Sequence, residues 1–175
     1  MSAIAVYSGL AGIVLAGAPV LAAQQPKEAA PSPAPVPVPI LSGKRVFVAN
    51  AGEENSTNAL RPVFSGGPDR AYNQFFAAIE QWGRYKLVSD PGQADLVFEI
   101  GFTLGTGNSP LEIFIGHFRM VMRDPKTNVL LWGFTEYVRT GNRQATRDQN
   151  FDRSMDAIVG DVKNLVTQSA APAKP

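Results

Sequence analysis

The 175-residue chain contains no cysteine and a single histidine. The absence of cysteine excludes disulfide bonds, zinc sites with thiolate ligands, a cysteine nucleophile and a lipid-modified amino-terminal cysteine. One histidine cannot build a metal site that needs several. We therefore predict no metal site and no cofactor.

Neither sign of charge dominates, because 16 lysines and arginines face 15 aspartates and glutamates. Such a balance creates no overall field that would attract nucleic acid or an acidic membrane surface. The most basic stretch is interleaved with acidic residues and lacks aromatic side chains that could stack on bases, so we predict a self-neutralised surface and no nucleic-acid partner. Its members are Arg139, Arg143, Arg147 and Arg153, with Asp148, Asp152 and Asp156 between and beyond them.

Charged side chains are also missing from the first 23 residues. This apolar run ends in small residues, and Val20-Leu21-Ala22 has the pattern that signal peptidase reads, although no lysine or arginine precedes the run. We predict a signal peptide over residues 1–23, a periplasmic or secreted protein, and no integral membrane span once the signal is cleaved. The alternative is an uncleaved anchor, since about 20 uncharged residues can span a bilayer.

Residues 24–42 contain six prolines, at near-alternating positions. Proline disfavours both helix and sheet, so this stretch is expected to be an extended proline-rich linker. It could serve as a spacer or as a groove ligand of the Pro-x-x-Pro type. Residues 169–175 are predicted to be a disordered tail.

Between these segments the pattern predicts one domain over residues 43–168. Apolar residues at spacings of three and four indicate two amphipathic helices, and alternating apolar residues indicate strands. The expected fold class is α+β, a two-layer sandwich of a mainly antiparallel five-stranded sheet with two helices on one face. The predicted strands are 44–50, 85–88, 94–104, 111–123 and 129–139, and the helices are 68–82 and 149–168, the second capped by Asp148 or Thr146.

The stretch "GFTLGTGNSP", Gly101 to Pro110, has the composition of a phosphate-binding loop. Such a loop needs a following helix N-terminus and a lysine, whereas another predicted strand follows here and the stretch contains no lysine. We therefore predict a hairpin loop. The five residues "DPKTN", Asp124 to Asn128, predict a second hairpin turn, with the left-handed conformation tolerated at Asn128.

The register of these hairpins predicts a bulge in the fourth strand. Pairing Leu104 with Leu111 would point odd-numbered residues of that strand toward the core. Pairing Arg123 with Val129 would instead point even-numbered residues there. One extra residue is then required between the halves, and we expect it at Gly116. The even-numbered set is Phe118, Met120 and Met122, expected opposite Phe134, Trp132 and Leu130; Phe114 is expected on the outer face, across from Gly101.

Few residues suggest catalysis. His117 has no neighbouring nucleophile to activate, so a surface histidine is favoured over a catalytic one. Asp90 and Asp95 flank a Pro-Gly turn, and although paired carboxylates can act as acid and base, Asp90 before Pro91 is typical of turn capping.

The sheet face opposite the helices is the predicted partner site. Aromatic side chains lie there among charges, and binding surfaces are rich in arginine and aromatic residues. An ordinary polar surface is the alternative. The predicted partner-binding residues are Glu99, His117, Arg119, Arg123, Tyr137 and Arg139, with Thr103, Thr135 and Phe114 on the same face.

The stretches "RYKLVSDPGQADLVFEIGF" and "DPKTNVLLWGFTEYV" resemble a group of small uncharacterised secreted bacterial proteins. More remotely they resemble the amino-terminal domain of TolB and LpoB-like envelope modules, through Ala94 to Val97 and the Leu131-Trp132 pair. The resemblance covers roughly residues 44–166. It implies the α+β fold and an envelope module that binds proteins and has no catalytic centre.

The sequence as a whole predicts an exported, non-enzymatic module that binds an envelope protein or cell-wall component through its open sheet face. The alternative is a small hydrolase or a ligand carrier that uses the region of Asp90, Asp95 and Glu99. The oligomeric state is left open.

Overall fold

The computed structural model of the chain describes residues 34–55, 62–106, 114–139 and 141–168. The predicted signal peptide, residues 24–33 of the proline-rich linker, residues 107–110 of the "GTGNSP" stretch and the carboxyl-terminal tail lie outside the described residues. The strands are β1 Arg45–Asn55, β2 Lys86–Leu87, β3 Leu96–Gly105, β4 Ile115–Arg123 and β5 Leu130–Val138; the helices are α1 Val38–Ser42, α2 Arg70–Trp82 and α3 Gln144–Gln168, with a 3-10 turn at Pro91–Gln93.

The five strands form one sheet in the order β2-β1-β3-β4-β5. The prediction of a five-stranded sheet in an α+β fold is confirmed, but the sheet is mixed. Strand β1 pairs in parallel with both β2 and β3, whereas β3, β4 and β5 form an antiparallel meander. The parallel pairs arise because the chain crosses over through α2 after β1 and through the 3-10 turn after β2.

The predicted helix count is also wrong, because a third helix, α1, lies at the end of the proline-rich segment. Proline is compatible with the first turn of a helix, where its missing N–H would have no partner anyway. In α1 the side chain of Ile40 is fully buried in the core. Tyr85 reaches the same turn and donates a hydrogen bond from its hydroxyl to the Ile40 carbonyl, at 3.4 Å. The last part of the segment therefore packs on the domain.

Helix α2 follows the prediction closely. Its apolar face buries Phe75 and Ile79, and Tyr72, Phe76 and Trp82 pack partly buried against the same core. The helix ends at Gly83, whose φ of 67° is the left-handed conformation that glycine adopts without steric cost.

Helix α3 begins five residues before the predicted start, at Gln144 rather than Gln149. Asp148 and Thr146 therefore lie inside the helix, and the prediction that one of them caps it is wrong. The predicted apolar face is confirmed, with Leu165 partly buried and the other members buried: Phe151, Met155, Ile158 and Val162.

The helices and the inward face of the sheet share one apolar core. Strand β3 shows the strict alternation expected of it, and its inward residues are all buried. The rings of Phe102, Phe118 and Phe151 meet at centroid distances of 4.7 to 5.1 Å, which ties β3 and β4 to α3. The inward residues of β3 are Leu96, Phe98, Ile100, Phe102 and Leu104.

The predicted bulge at Gly116 is wrong. Gly116 pairs regularly with Leu104 on one side and Val138 on the other, and β4 keeps one parity from Ile115 to Met122. Because Leu104 pairs with Gly116 instead of Leu111, the connection between β3 and β4 is longer than expected. Phe114 lies just before β4 and packs against the core, so its expected position on the outer face across from Gly101 is also wrong.

The second hairpin follows the prediction in part. Asn128 has a φ of 57°, as expected for its place in the turn. The inward parity is right, but all three expected pairings are wrong by two residues: Phe118 faces Glu136, Met120 faces Phe134 and Met122 faces Trp132. The irregularity lies in β5, where Leu131 is an extra residue between the partners of Met122 and Arg123.

Candidate functional site

The outer face of the sheet is the surface on which the predicted site residues meet. Among the described residues no helix covers it, because the buried side chains of α1, α2 and α3 all belong to the single core on the other face. Five of the six predicted partner-binding residues lie on this outer face of β3, β4 and β5: Glu99, His117, Arg119, Arg123 and Tyr137.

The sixth predicted residue, Arg139, is separate from them. It follows the end of β5, and its carbonyl accepts a hydrogen bond from the Asn150 side chain of α3 at 3.1 Å. Together with Tyr137 and Arg153 it lines a recess of about 250 Å³ between β5 and α3. Arg139 therefore belongs to the edge of the sheet rather than to the centre of its outer face.

Cross-strand register arranges the outer face in rows. One row runs from Glu54 through Thr103 and His117 to Tyr137. The rings of His117 and Tyr137 lie 5.9 Å apart between centroids, and Tyr137 is 66% exposed. The predicted aromatic component of the site is thus one histidine–tyrosine pair at the end of β5.

The neighbouring row holds Arg119. It runs from Gly52 through Gly101 and Arg119 to Thr135. The Arg119 side chain is exposed and makes no ion pair with any residue that the structure describes. Two of the four residues in this row are glycines, so the Arg119 guanidinium lies beside backbone that carries no side chain.

Arg119 also borders a shallow depression of about 160 Å³ in this face. Glycines form part of its lining, so backbone is accessible there. The negative members of the lining are Glu54 and Glu99. The full lining is Ala51, Gly52, Glu54, Glu99, Gly101, Phe102, Thr103, Arg119 and Val121.

Arg123 and Glu99 of the outer face form an ion pair with each other. Arg123 Nε lies 3.2 Å from Glu99 Oε2, and both side chains are partly exposed. A partly exposed ion pair of this kind contributes little to stability, typically below about 1 kcal/mol. Its effect is to remove Glu99 as a free base and Arg123 as a free cation. Among the described residues of the face, Arg119 is then the arginine that has no ion pair.

Glu54 is the site residue that the sequence did not reveal. The chain after Asn50 was expected to be a loop, but β1 continues to Asn55 past a bulge at Ala51. Gly52 enables the bulge through its φ of 82°, and its N–H donates to the Asn50 side chain at 2.8 Å. The sequence "NAG" could have indicated that β1 continues, since these residues suit a bulge within a strand as well as a turn after it.

The carboxylates proposed for the alternative hydrolase serve structural purposes. Asp90 Oδ1 accepts the N–H of Gly92 at 2.8 Å, as the turn interpretation predicts. Asp95 accepts hydrogen bonds from Arg45, at 2.7 Å to its side chain, and from the backbone N–H of Lys44 and Arg45. The Arg45 side chain, followed by these backbone donors, holds the pKa of Asp95 far below its usual range.

The acidic residues of α3 do not neutralise the arginines that surround them in sequence. Asp148 and Asp152 instead pair with Arg70 of α2, at 2.9 and 2.6 Å. Arg139, Arg143 and Arg153 consequently have no ion pair within the described part of the chain, and the predicted self-neutralised surface is wrong there.

The Arg70 network also ties the chain before α2 to α3. Asp148 accepts hydrogen bonds from the Ser65 N–H at 2.9 Å and from the Ser65 hydroxyl at 2.6 Å. Burial alone would raise the pKa of Asp148, but the hydrogen bonds from Ser65, Arg70 and Gln144 outweigh it and lower that pKa to about 2. The network is thus a charged clamp between two elements of the domain.

Within the described ranges no three histidine, aspartate or glutamate side chains are grouped so that they could hold a metal ion. No helix in those same ranges is both long and apolar enough to cross a bilayer.

No protein-family model and no curated protein matches the chain. Solved structures that are similar include the LpoB C-terminal domain from Salmonella enterica, with 15% identity, a TM-score of 0.38 and coverage of 56% of this chain and 84% of that one. Lipoprotein GNA1162 from Neisseria meningitidis has 13% identity, a TM-score of 0.40 and coverage of 69% and 99%. Lipoprotein B from Nitrosomonas europaea has 15% identity, a TM-score of 0.39 and coverage of 74% and 84%.

The sequence predicts a remote resemblance to LpoB-like modules, and the LpoB C-terminal domain is among these similar structures.

Proposed function

We propose that this protein is an exported, non-enzymatic module of the bacterial envelope that binds a protein partner through the outer face of its sheet. The observation that carries the proposal is Arg119, an exposed guanidinium that forms no ion pair with any described residue, on a face that no described helix covers. An arginine side chain presents five N–H donors in a planar fork that fits a carboxylate. Its neighbours Gly52 and Gly101 leave room for a partner to approach the backbone.

The rest of the face supports recognition of a protein surface. Tyr137 is 66% exposed and stands beside His117, and interface energy concentrates on such aromatic and arginine side chains. Arg123 and Glu99 neutralise one another, so they would form a polar rim rather than an anchor. A partner with an acidic side chain opposite Arg119 and an apolar group against Tyr137 fits this arrangement.

The hydrolase alternative has weaker support. Asp90 and Asp95 are engaged by backbone N–H groups, and the Glu99 carboxylate is paired with Arg123. A general base must be free to accept a proton from a substrate or water, and these carboxylates are committed to structural hydrogen bonds.

Charge reversal at Arg119 tests the proposal. Envelope extract of the native source is passed over immobilised wild-type protein, Arg119→Glu and a matched control, Arg143→Glu, which makes the same charge change at an exposed position away from the outer face. We expect the wild type and the control to retain the same partner and Arg119→Glu to lose it, with all three melting at similar temperatures. Retention of every partner by Arg119→Glu would show that the outer face is only surface.

A further inference from the structure

The two edges of the sheet are protected very differently. Strand β2 is only two residues long and carries Lys86, which are two common ways to prevent a sheet edge from pairing with another chain. Strand β5 is nine residues long and contains no lysine, arginine or proline, and its one charged residue is Glu136. A bulge at Leu131 interrupts only its beginning. Glu136 faces inward opposite Phe118, which is itself a protective device, so the part of β5 that lacks the usual protection is the stretch between the bulge and Glu136.

Helix α3 covers one end of this edge. Ser154 donates its hydroxyl to the Tyr137 carbonyl at 2.9 Å, and Asn150 donates to the Arg139 carbonyl. These bonds show that the backbone groups of Tyr137 and Arg139 point away from β4. Alternate residues of a strand point their backbone groups the same way, so those of Gly133 and Thr135 also point outward. The open part of the edge is thus Gly133 to Thr135.

Exposed apolar side chains flank the open part on both sides. Tyr137 is 66% exposed after it, and Val129 and Leu130 are 55% and 45% exposed before it. Within the described ranges, the one other large apolar side chain of comparable exposure is Val38. Apolar side chains beside unpaired backbone groups are typical of a strand that pairs with another strand.

We propose that two copies of the chain associate through β5, antiparallel, about a two-fold axis at Phe134. This register pairs Gly133 of each copy with Thr135 of the other, so the open N–H and C=O groups of both residues form four hydrogen bonds. The partly buried Phe134 rings of the two copies become neighbours across the axis. The inference goes beyond the proposed function and does not depend on it.

A second copy is a better occupant than an unrelated strand because β5 is complementary to itself. An antiparallel pair brings the beginning of one strand beside the end of the other. Tyr137 of each copy then lies beside Leu130 and Leu131 of the second copy, which covers the exposed apolar groups at both ends. On the outer face, Gly133 opposite Thr135 leaves the middle of the pair free of bulky side chains and of charge.

Charged residues of α3 are also complementary about the proposed two-fold axis. Asn150 contacts Arg139 and Ser154 contacts Tyr137, so α3 runs antiparallel to β5. Ser154, Ala157 and Asp161 lie on one face of α3, at spacings of three and four residues, and Arg153 borders this face. The two-fold axis therefore brings Arg153 of one copy toward Asp161 of the other, and these opposite charges favour the pairing.

Sedimentation velocity over a roughly 100-fold range of protein concentration tests the proposal, because a dimer becomes populated by mass action. We expect wild type to convert from monomer to dimer as concentration rises. Thr135→Pro removes an outward N–H and no bond to β4, so we expect it to remain folded and monomeric. Thr135→Lys keeps the backbone N–H and C=O groups and adds a positive charge of the kind that prevents edge strands from pairing. We expect it to weaken dimerisation at least tenfold. Wild-type protein that stays monomeric throughout the range overturns the proposal.

Two further measurements locate the interface. Because the chain has no cysteine, Phe134→Cys introduces a single thiol on the proposed axis, directly opposite its own copy and within disulfide distance. Under copper-phenanthroline oxidation in air we expect it to form a disulfide-linked dimer far faster than Lys86→Cys at the other edge. Reversal of one charge, Arg153→Asp or Asp161→Arg, should weaken the dimer, and the double variant should restore it. Equal cross-linking at both positions, or a dimer unaffected by Thr135→Lys, would place the association elsewhere and overturn the proposal.

Discussion

The ring of Phe102 occupies the space where a side chain at Gly116 would be. A Cβ built on Gly116 would lie 2.8 Å from Phe102 Cζ, closer than carbon atoms of separate residues approach in folded proteins. The ring cannot easily move aside, because it is 2% exposed and in contact with the rings of Phe64, Phe118 and Phe151. Gly116 is therefore required for core packing rather than for a bulge.

We expect Gly116→Ala to destabilise the protein by about 1–3 kcal/mol, the usual cost of overpacking a core. Gly160→Ala in α3 is the matched control. A Cβ there would meet nothing within 4 Å, so the same substitution should stabilise the helix by roughly 0.5–1 kcal/mol. Urea denaturation of the two variants should give shifts of opposite sign. A neutral Gly116→Ala would mean that the Phe102 ring has room to move.

The short helix α1 provides a second test of the core. Ile40→Ala should cost about 2–4 kcal/mol, because it removes a fully buried side chain. Val38 lies two residues earlier and is 72% exposed, so Val38→Ala should change the free energy of unfolding by less than about 0.5 kcal/mol. Equal midpoints for the two variants in a denaturant titration would show that α1 is not part of the cooperative unit.

The contrast between α1 and α2 shows what local patterns could and could not predict. The spacing of Phe75, Ile79 and Trp82 and the stop at Gly83 specify α2 through interactions within one helix. In α1 the prolines favour an extended chain, and only the burial of Ile40 against distant elements selects the helix. That burial depends on tertiary contacts, which a single sequence does not display.

The sequence predicted which segments of the chain form strands, but it did not predict the direction and register in which these strands pair. Alternation in β3 fixes which residues face the core, but β1 would show the same pattern in a parallel or an antiparallel pair. The register of β4 was wrong because the shortest loop was assumed, pairing Leu104 with Leu111. The parity of Met120 and Met122 was nevertheless right, although the pairing assumed across the "DPKTN" turn was also wrong, because Arg123 pairs with Leu130 rather than Val129.

In the candidate site, too, local patterns predicted some features, whereas others depend on tertiary contacts. Glu99, Arg119 and Tyr137 were placed on the outer face correctly, since alternation alone determines the face. The isolation of Arg119 could not be foreseen, because it depends on Arg123 taking Glu99. In the same way, Asp148 was expected to balance nearby arginines, but α2 supplies Arg70 from far away in sequence.

The stability lost on substitution of Trp132 reports how much the edge strand β5 contributes to the core. It faces inward opposite Met122 but is only partly buried. We therefore expect Trp132→Ala to cost about 2–3 kcal/mol, below the roughly 3–5 kcal/mol typical of a fully buried large aromatic residue. Leu130→Ala, at an exposed position on the same strand, is the control and should cost less than about 1 kcal/mol. Dilute protein should be used, so that association does not add to the measured stability. Equal losses for the two variants would contradict the inward position of Trp132.

The Arg70 clamp should make stability depend on pH in acid. The pKa of Asp148 is about 2 in the folded protein, against an ordinary value of 3.8. Because the folded-state pKa is depressed, the unfolded chain binds the proton first. The contribution of Asp148 is therefore fully present above about pH 5 and is lost as the pH falls through 4 toward 2.

Asp148→Asn isolates this contribution. At pH 6 we expect the variant to be less stable than wild type by roughly 2 kcal/mol, given that one pKa unit corresponds to about 1.4 kcal/mol. At pH 2.5 roughly two thirds of the difference should have disappeared, because the unfolded chain is by then largely protonated at this position and the folded chain has begun to be. Asp156→Asn, at an exposed position two turns along α3, is the control and should show no such convergence. Guanidinium chloride would screen the charges under test, so urea is the appropriate denaturant. A difference between wild type and Asp148→Asn that stays constant from pH 6 to pH 2.5 would show that the hydrogen bonds of Asp148, rather than its charge, hold α3 to Ser65 and Arg70.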